Sequence, residues 1–114
     1  MRLLLRFDAA QSIGLAFHEL VGNALEYGAL GDPEGRVSAS WRIVSEPHHR
    51  IAIFDWTETG GPPLVGEPLR RGFGLELLEK ALPFDIGART LIGFDPAGLR
   101  CQIEFPYAPA HFLM

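Results

Sequence analysis

Phe17-His18-Glu19-Leu20-Val21-Gly22-Asn23-Ala24-Leu25-Glu26-Tyr27-Gly28 is the stretch on which the reading of this chain turns. Glu19 and Asn23 stand four residues apart, so on a helix both project from one face, one turn from each other. Leu20, Val21, Ala24 and Leu25 supply an apolar stripe that seats such a helix on a core. A carboxylate and an amide oxygen held side by side on a rigid element are good ligands for magnesium, which keeps several waters and shares its other positions with phosphates. The same pair equally suits an amphipathic helix whose Glu and Asn only face water.

Outward from this stretch, Arg2 to Phe7 reads as a short strand, and Asp8 with Gln11 has the form of a capping box. The helix is expected from about Ala9 to Tyr27, closed by Gly28 in the left-handed conformation that glycine adopts cheaply. Leu30 to Gly35 is turn chemistry. Val37, Ala39, Trp41 and Ile43 alternate with Ser38, Ser40 and Arg42, which predicts a half-buried strand. Glu46-Pro47-His48-His49 reads as a hairpin tip and Arg50 to Trp56 as the returning strand. Adjacent histidines at a loop tip do not converge on one ion, so His48 and His49 are read as solvated turn residues. Thr57 to Arg71 is rich in Gly and Pro and has no period, the mark of a functional loop or lid. Gly72-Phe73-Gly74 opens a second helix, Leu75 to about Leu82, ended by Pro83. Arg89 to Phe94 and Leu99 to Phe105 form a second hairpin across Asp95-Pro96-Ala97-Gly98. Antiparallel strands with helices gathered on one face give a two-layer α/β sandwich of the α+β class.

Composition narrows the function. A chain of 114 residues, 47% hydrophobic and 21% charged, has room for one core and one domain spanning residues 1–114. Its net charge of −4, with the ten basic residues scattered, argues against nucleic acid or an anionic membrane as partner. The single cysteine, Cys101, excludes an internal disulfide framework and fits a small buried hydrophobe in a reducing compartment. Met1 to Leu5 starts like a signal peptide, but Arg6 and Asp8 interrupt it and no cleavage region follows, so the expected location is the cytoplasm.

The glycines carry a second chemical hint. Gly72 and Gly74 at a helix start leave free amides at the positive end of the helix dipole, a natural phosphate seat, and Arg70 and Arg71 add guanidinium forks suited to phosphate oxygens. The same residues also suit simple helix-start punctuation and a solvated lid. Glu58, where the chain turns to glycine, could accept a hydrogen bond from an exocyclic amine such as that of adenine, or could be an ordinary turn carboxylate. Trp56 alternates into the strand and reads as core.

Together these segments resemble the catalytic domain of the HWE family of sensor histidine kinases. His18-Glu19-Leu20 with Asn23-Ala24 and Tyr27-Gly28-Ala29-Leu30 is similar to that family's N box, and Trp56-Thr57-Glu58-Thr59-Gly60-Gly61-Pro62 to its W-x-E box. Gly72-Phe73-Gly74 resembles its second glycine box, and Gly35-Arg36-Val37 with Trp41 and Asp95 to Leu99 look like its connecting strands. The resemblance implies a Bergerat (GHKL) ATP-binding fold with a mixed, mostly antiparallel sheet, shared with DNA gyrase and related ATPases. It implies ATP and Mg2+ as cofactors, with Asn23 coordinating magnesium, Glu19 beside the metal and its waters, and His18 as the family's N-box histidine. Glu58 takes the place of the adenine-binding aspartate, Gly60, Gly61, Arg71, Gly72, Phe73 and Gly74 shape the nucleotide pocket, and Pro63 to Arg71 form the lid. For His18, support of the box as a core histidine and a chemical role both stand open. Two positions depart from the family pattern: Gly22 stands where a small hydroxyl residue is usual and Glu26 where a lysine is usual, and an inward Glu26 would repel phosphate. A histidine kinase also needs a helical hairpin that carries the phosphoacceptor histidine. These residues contain none, so the expected partners are such a domain in cis or in trans and, indirectly, a response regulator. A stand-alone serine kinase of the anti-sigma type and a non-catalytic docking domain are the alternatives.

Overall fold

Helix α1 spans Phe7–Tyr27, one continuous run of 21 residues in this computed structural model, which describes Leu5, residues 7–61 and residues 87–107. Its buried stripe is Ile13, Ala16, Leu20 and Ala24, spaced three and four apart as a 3.6-residue period requires. Leu25 does not belong to that stripe. One residue beyond Ala24 is a rotation of about 100°, which leaves Leu25 57% exposed, while Val21 packs from the flank. Two further expectations change at the start of the helix. Phe7 is its first residue and not the end of a strand, and Asp8 therefore lies within it rather than capping it.

The helix ends where glycine was expected to end it, by a different route. The Gly28 N–H still donates to the Ala24 carbonyl at 3.0 Å, but Gly28 has φ −126° and ψ −147°, an extended rather than left-handed conformation. A single 3-10 turn, Ala29–Gly31, follows, with the Gly31 N–H donating to the Gly28 carbonyl at 3.1 Å.

Four strands form the sheet: β1 Arg36–Ser45, β2 Arg50–Thr59, β3 Arg89–Asp95 and β4 Gly98–Pro106. Their order is β1-β2-β4-β3, and every described pairing is antiparallel. Both hairpin turns fall where the sequence puts them; at the first, the Glu46 N–H donates to the His49 carbonyl at 2.7 Å, and His48 and His49 are exposed. β2 runs three residues further than expected, so Glu58 lies in a strand opposite Val37 and not in a turn. The second predicted helix, Leu75 to Leu82, and the strand residues before Leu5 lie outside the described residues.

The sheet alternates, with Ile53 and Gly98 the residues of opposite parity that are also buried. Ala52, Phe54, Trp56 and Glu58 of β2 and Leu99, Cys101, Ile103 and Phe105 of β4 are all buried beneath the helix. Cys101, 3% exposed, is the buried small hydrophobe its context suggested. Aromatic rings bind the layers: Phe17 of α1 meets Trp56 edge-on at 5.6 Å, and Trp41 of β1 lies 4.6 Å from Phe54. Edge-to-face pairs of this kind add about 0.5–1.5 kcal/mol to the area they bury. On the other face Asp55 accepts a hydrogen bond from Gln102 Nε2 at 2.9 Å and lies 3.8 Å from the Arg42 guanidinium.

Candidate functional site

Residues two apart on a strand share a face, so the parity that buries Trp56 also buries Glu58. Glu58 is 2% exposed, the only charged side chain in the core of the described residues. Its two oxygens have separate partners: Oε2 accepts a hydrogen bond from the Trp56 indole Nε1 at 2.9 Å, and Oε1 accepts one from the Ala29 backbone N–H at 3.1 Å. Hydrogen bonds to a carboxylate are about twice as strong as neutral ones, and a buried charge needs them. The bond to Ala29 spans 29 residues and draws the end of α1 onto the end of β2.

Glycines let the two backbones meet. A Cβ at Gly61 would lie 2.7 Å from the Ala29 Cα and 2.9 Å from its N, closer than real side chains approach. Gly98, with φ +151°, packs against the Glu58 carbonyl so closely that a Cβ there would collide with it. Ala29 and Gly98 escaped sequence reasoning as parts of this place. Ala29 contributes only its backbone, which no side-chain pattern reveals, whereas the parity of Ala52, Phe54 and Trp56 points Glu58 inward only once β2 is carried past Trp56, where the sequence reading ended it.

Asn23 lies on the turn of α1 just before this junction and is half-buried. Its Nδ2 is buried and has no hydrogen-bond partner among the described residues. A buried unpaired amide costs about 1–3 kcal/mol, and rotating the amide exchanges nitrogen for oxygen, so Asn23 offers a polar group to an external partner. Glu19, one turn earlier, is half-buried, whereas His18 is exposed and does not support the box as a core histidine. Gly22 and Glu26 are both exposed, and nothing lies within 4 Å of a Cβ at Gly22. Arg71, Gly72, Phe73 and Gly74 lie outside the described residues. Among the described residues no group of three or more His, Cys, Asp and Glu could hold a metal by itself. The junction of Ala29, Glu58 and Gly61 lies toward the helix side of the sheet. A separate hollow of about 350 Å³, lined by Asp55, Thr57, Leu91, Arg100 and Gln102, opens on the strand positions of opposite parity.

A blue-light-activated histidine kinase of Brucella ovis is 33% identical over 110 residues, 96% of this chain and 22% of that protein. One from Brucella anthropi is 39% identical over 95 residues, 83% of this chain and 19% of that protein. This chain is related to one segment of these histidine kinases. It spans about a fifth of the length of these curated relatives. The fold agrees: the histidine kinase domain of a blue-light-activated histidine kinase from Erythrobacter litoralis superposes with a TM-score of 0.69 at 22% identity, covering 88% of this chain and 48% of that one. The chain thus has the α+β architecture of that domain. No protein-family model matches the chain. No helix among its described residues is long and apolar enough to cross a membrane.

Proposed function

We propose that this domain is the ATP-binding catalytic domain of an HWE-type sensor kinase, binding Mg-ATP in the cytoplasm and delivering the γ-phosphoryl group to a histidine on a separate helical domain. The observation that carries the reading is the junction itself. The helix end bearing Asn23 and the Trp56-to-Gly61 segment, separated by about thirty residues of chain, meet through the Glu58–Ala29 hydrogen bond and the Gly61 approach. The HWE assignment rests on His18, Trp56 and Glu58.

The residues present suit such a ligand. Asn23 brings an unpartnered buried amide and Glu19 a carboxylate one turn away, an incomplete ligand set of the kind magnesium completes with phosphate oxygens and water. Bound there, magnesium supplies neutralisation of the charge on the β- and γ-phosphates. The chain's own contribution is positioning: Asn23 and Glu19 orient the phosphate end, and Gly60 and Gly61 let the end of β2 pack against the backbone of Glu34 and Ala29, where a side chain would collide. Arg71 and Gly72 to Gly74 are proposed for the lid side of the pocket. In the transfer an acceptor imidazole nitrogen forms a bond to Pγ as the bridging Pγ–O bond breaks, and ADP leaves. Phosphorelay to a response regulator follows from the phosphohistidine.

Thermal unfolding with and without Mg-ATP tests the reading. Nucleotide at about a hundred times its dissociation constant stabilises the folded state by about 2.7 kcal/mol, and EDTA removes most of that gain. A domain whose unfolding is unmoved by millimolar Mg-ATP is not this enzyme. Incubation with the helical hairpin domain of a relative should then give an acid-labile, alkali-stable phosphoprotein, and the opposite stability would point to a serine kinase.

A further inference from the structure

We infer that Glu58 serves the nucleotide site as a clamp on the main chain, and that Trp56 is the positioning residue that orients it. The geometry points this way because each carboxylate oxygen is already engaged from inside the protein: Oε2 by the indole N–H and Oε1 by the Ala29 amide. A carboxylate retains further lone pairs, but this one sits in a residue 2% exposed. A base amine has to reach a buried group, whereas the Ala29 amide is already there. Trp56 holds Glu58 from the same strand face, two residues away, and Glu58 in turn holds the turn that ends the Asn23 helix. The two letters of the W-x-E segment then form one device: an aromatic donor that fixes a carboxylate, and a carboxylate that fixes the N-box turn.

The amide part of this inference stands on its own, and the nucleotide part rests on the function proposed above. The experiment measures amide hydrogen exchange at Ala29 in the free domain, with Ile103 in β4 as a control for global opening, in wild type, Trp56→Phe and Glu58→Gln. Trp56→Phe removes the donor together with part of the buried indole, so it also loosens the core, and the clamp is read from the excess of Ala29 exchange over that of Ile103 even where Glu58→Gln fails to fold. Exchange at Ala29 should rise in Trp56→Phe about tenfold more than at Ile103, as the carboxylate freed on its Oε2 side loosens its bond to that amide. Unchanged Ala29 exchange, or an equal rise at both amides, overturns the clamp. In the second arm ATP and ITP, which lacks the 6-amine, are titrated calorimetrically. The clamp requires Trp56→Phe and Glu58→Gln to weaken both nucleotides by the same factor. Loss of ATP affinity with ITP spared assigns Glu58 to the amine and overturns the inference. A wild-type domain that binds neither nucleotide removes the function proposed above, and the Ala29 exchange still decides the clamp.

Discussion

Replacing Gly61 by alanine tests the contact that joins the two halves of the site. Gly61 has no left-handed φ, so alanine meets no backbone strain of its own there. By shortening the list of unfolded conformations it should help by about 0.4–1 kcal/mol. The steric term opposes it. The new Cβ would lie 2.7 Å from the Ala29 Cα, 2.9 Å from the Ala29 N and 3.2 Å from the Gly28 carbonyl carbon, where ordinary contact is about 3.5–4.0 Å. All three neighbours are backbone atoms, so none can rotate away. Overpacking of this kind costs about 1–3 kcal/mol. The atom pushed is also the donor to Glu58 Oε1, and losing a hydrogen bond to a charged acceptor costs about 1.5–3 kcal/mol. The two losses overlap, because a shift of Ala29 relieves the first by incurring the second. The net expectation is a destabilisation of about 2 kcal/mol, read by urea denaturation at constant m. Gly22→Ala is the control of opposite sign: nothing lies within 4 Å of a Cβ there, and alanine in a helix is worth about 0.5–1 kcal/mol more than glycine. In combination with Glu58→Gln, Gly61→Ala should cost less than the sum of the two, since both act on Ala29. A Gly61→Ala protein as stable as wild type would refute the close approach and, with it, the junction that places the site.

Asn23→Ala should abolish magnesium-dependent ATP binding by calorimetry while leaving the free domain at least as stable as before, since it removes a buried donor that has no partner; a large loss of stability with ATP affinity intact would count against the site. Glu26→Lys should change ATP affinity by less than about threefold, because Glu26 is exposed and its charge is screened by solvent; a tenfold gain would place its side chain at the phosphates. Cys101→Ser should lower stability by about 1–3 kcal/mol by burying a hydroxyl in the apolar layer between β4 and the helix, as measured by denaturant midpoint, and a neutral result would show that Cys101 is not enclosed as its 3% exposure says.

How far the sequence revealed this site depends on how local each determinant is. The hairpins were legible because strand alternation and turn residues lie within about ten residues of each other: β1 and β2 flank Glu46 to His49, and β3 and β4 flank the Asp95–Gly98 turn. Asn23 and Glu19 were legible because helix periodicity alone sets them on one flank. Gly28 marks the other limit. Glycine after a helix argues for a left-handed cap, in which the N–H groups that follow turn back onto the helix's last free carbonyls. Here the Ala29 amide finds a carboxylate 29 residues further along the chain, and with that acceptor in place Gly28 stays extended. The departure from the local rule therefore shows where a tertiary contact prevails over a local preference. It falls beside Asn23, whose buried Nδ2 is left without a partner among the described residues. The two observations share a cause. The Glu58 clamp fixes the turn that ends the helix, and the fixed helix keeps a buried amide ready for an external partner. On the function proposed above, a nucleotide site built in this way keeps its geometry ready before the nucleotide arrives, because the carboxylate that organises it is satisfied from within.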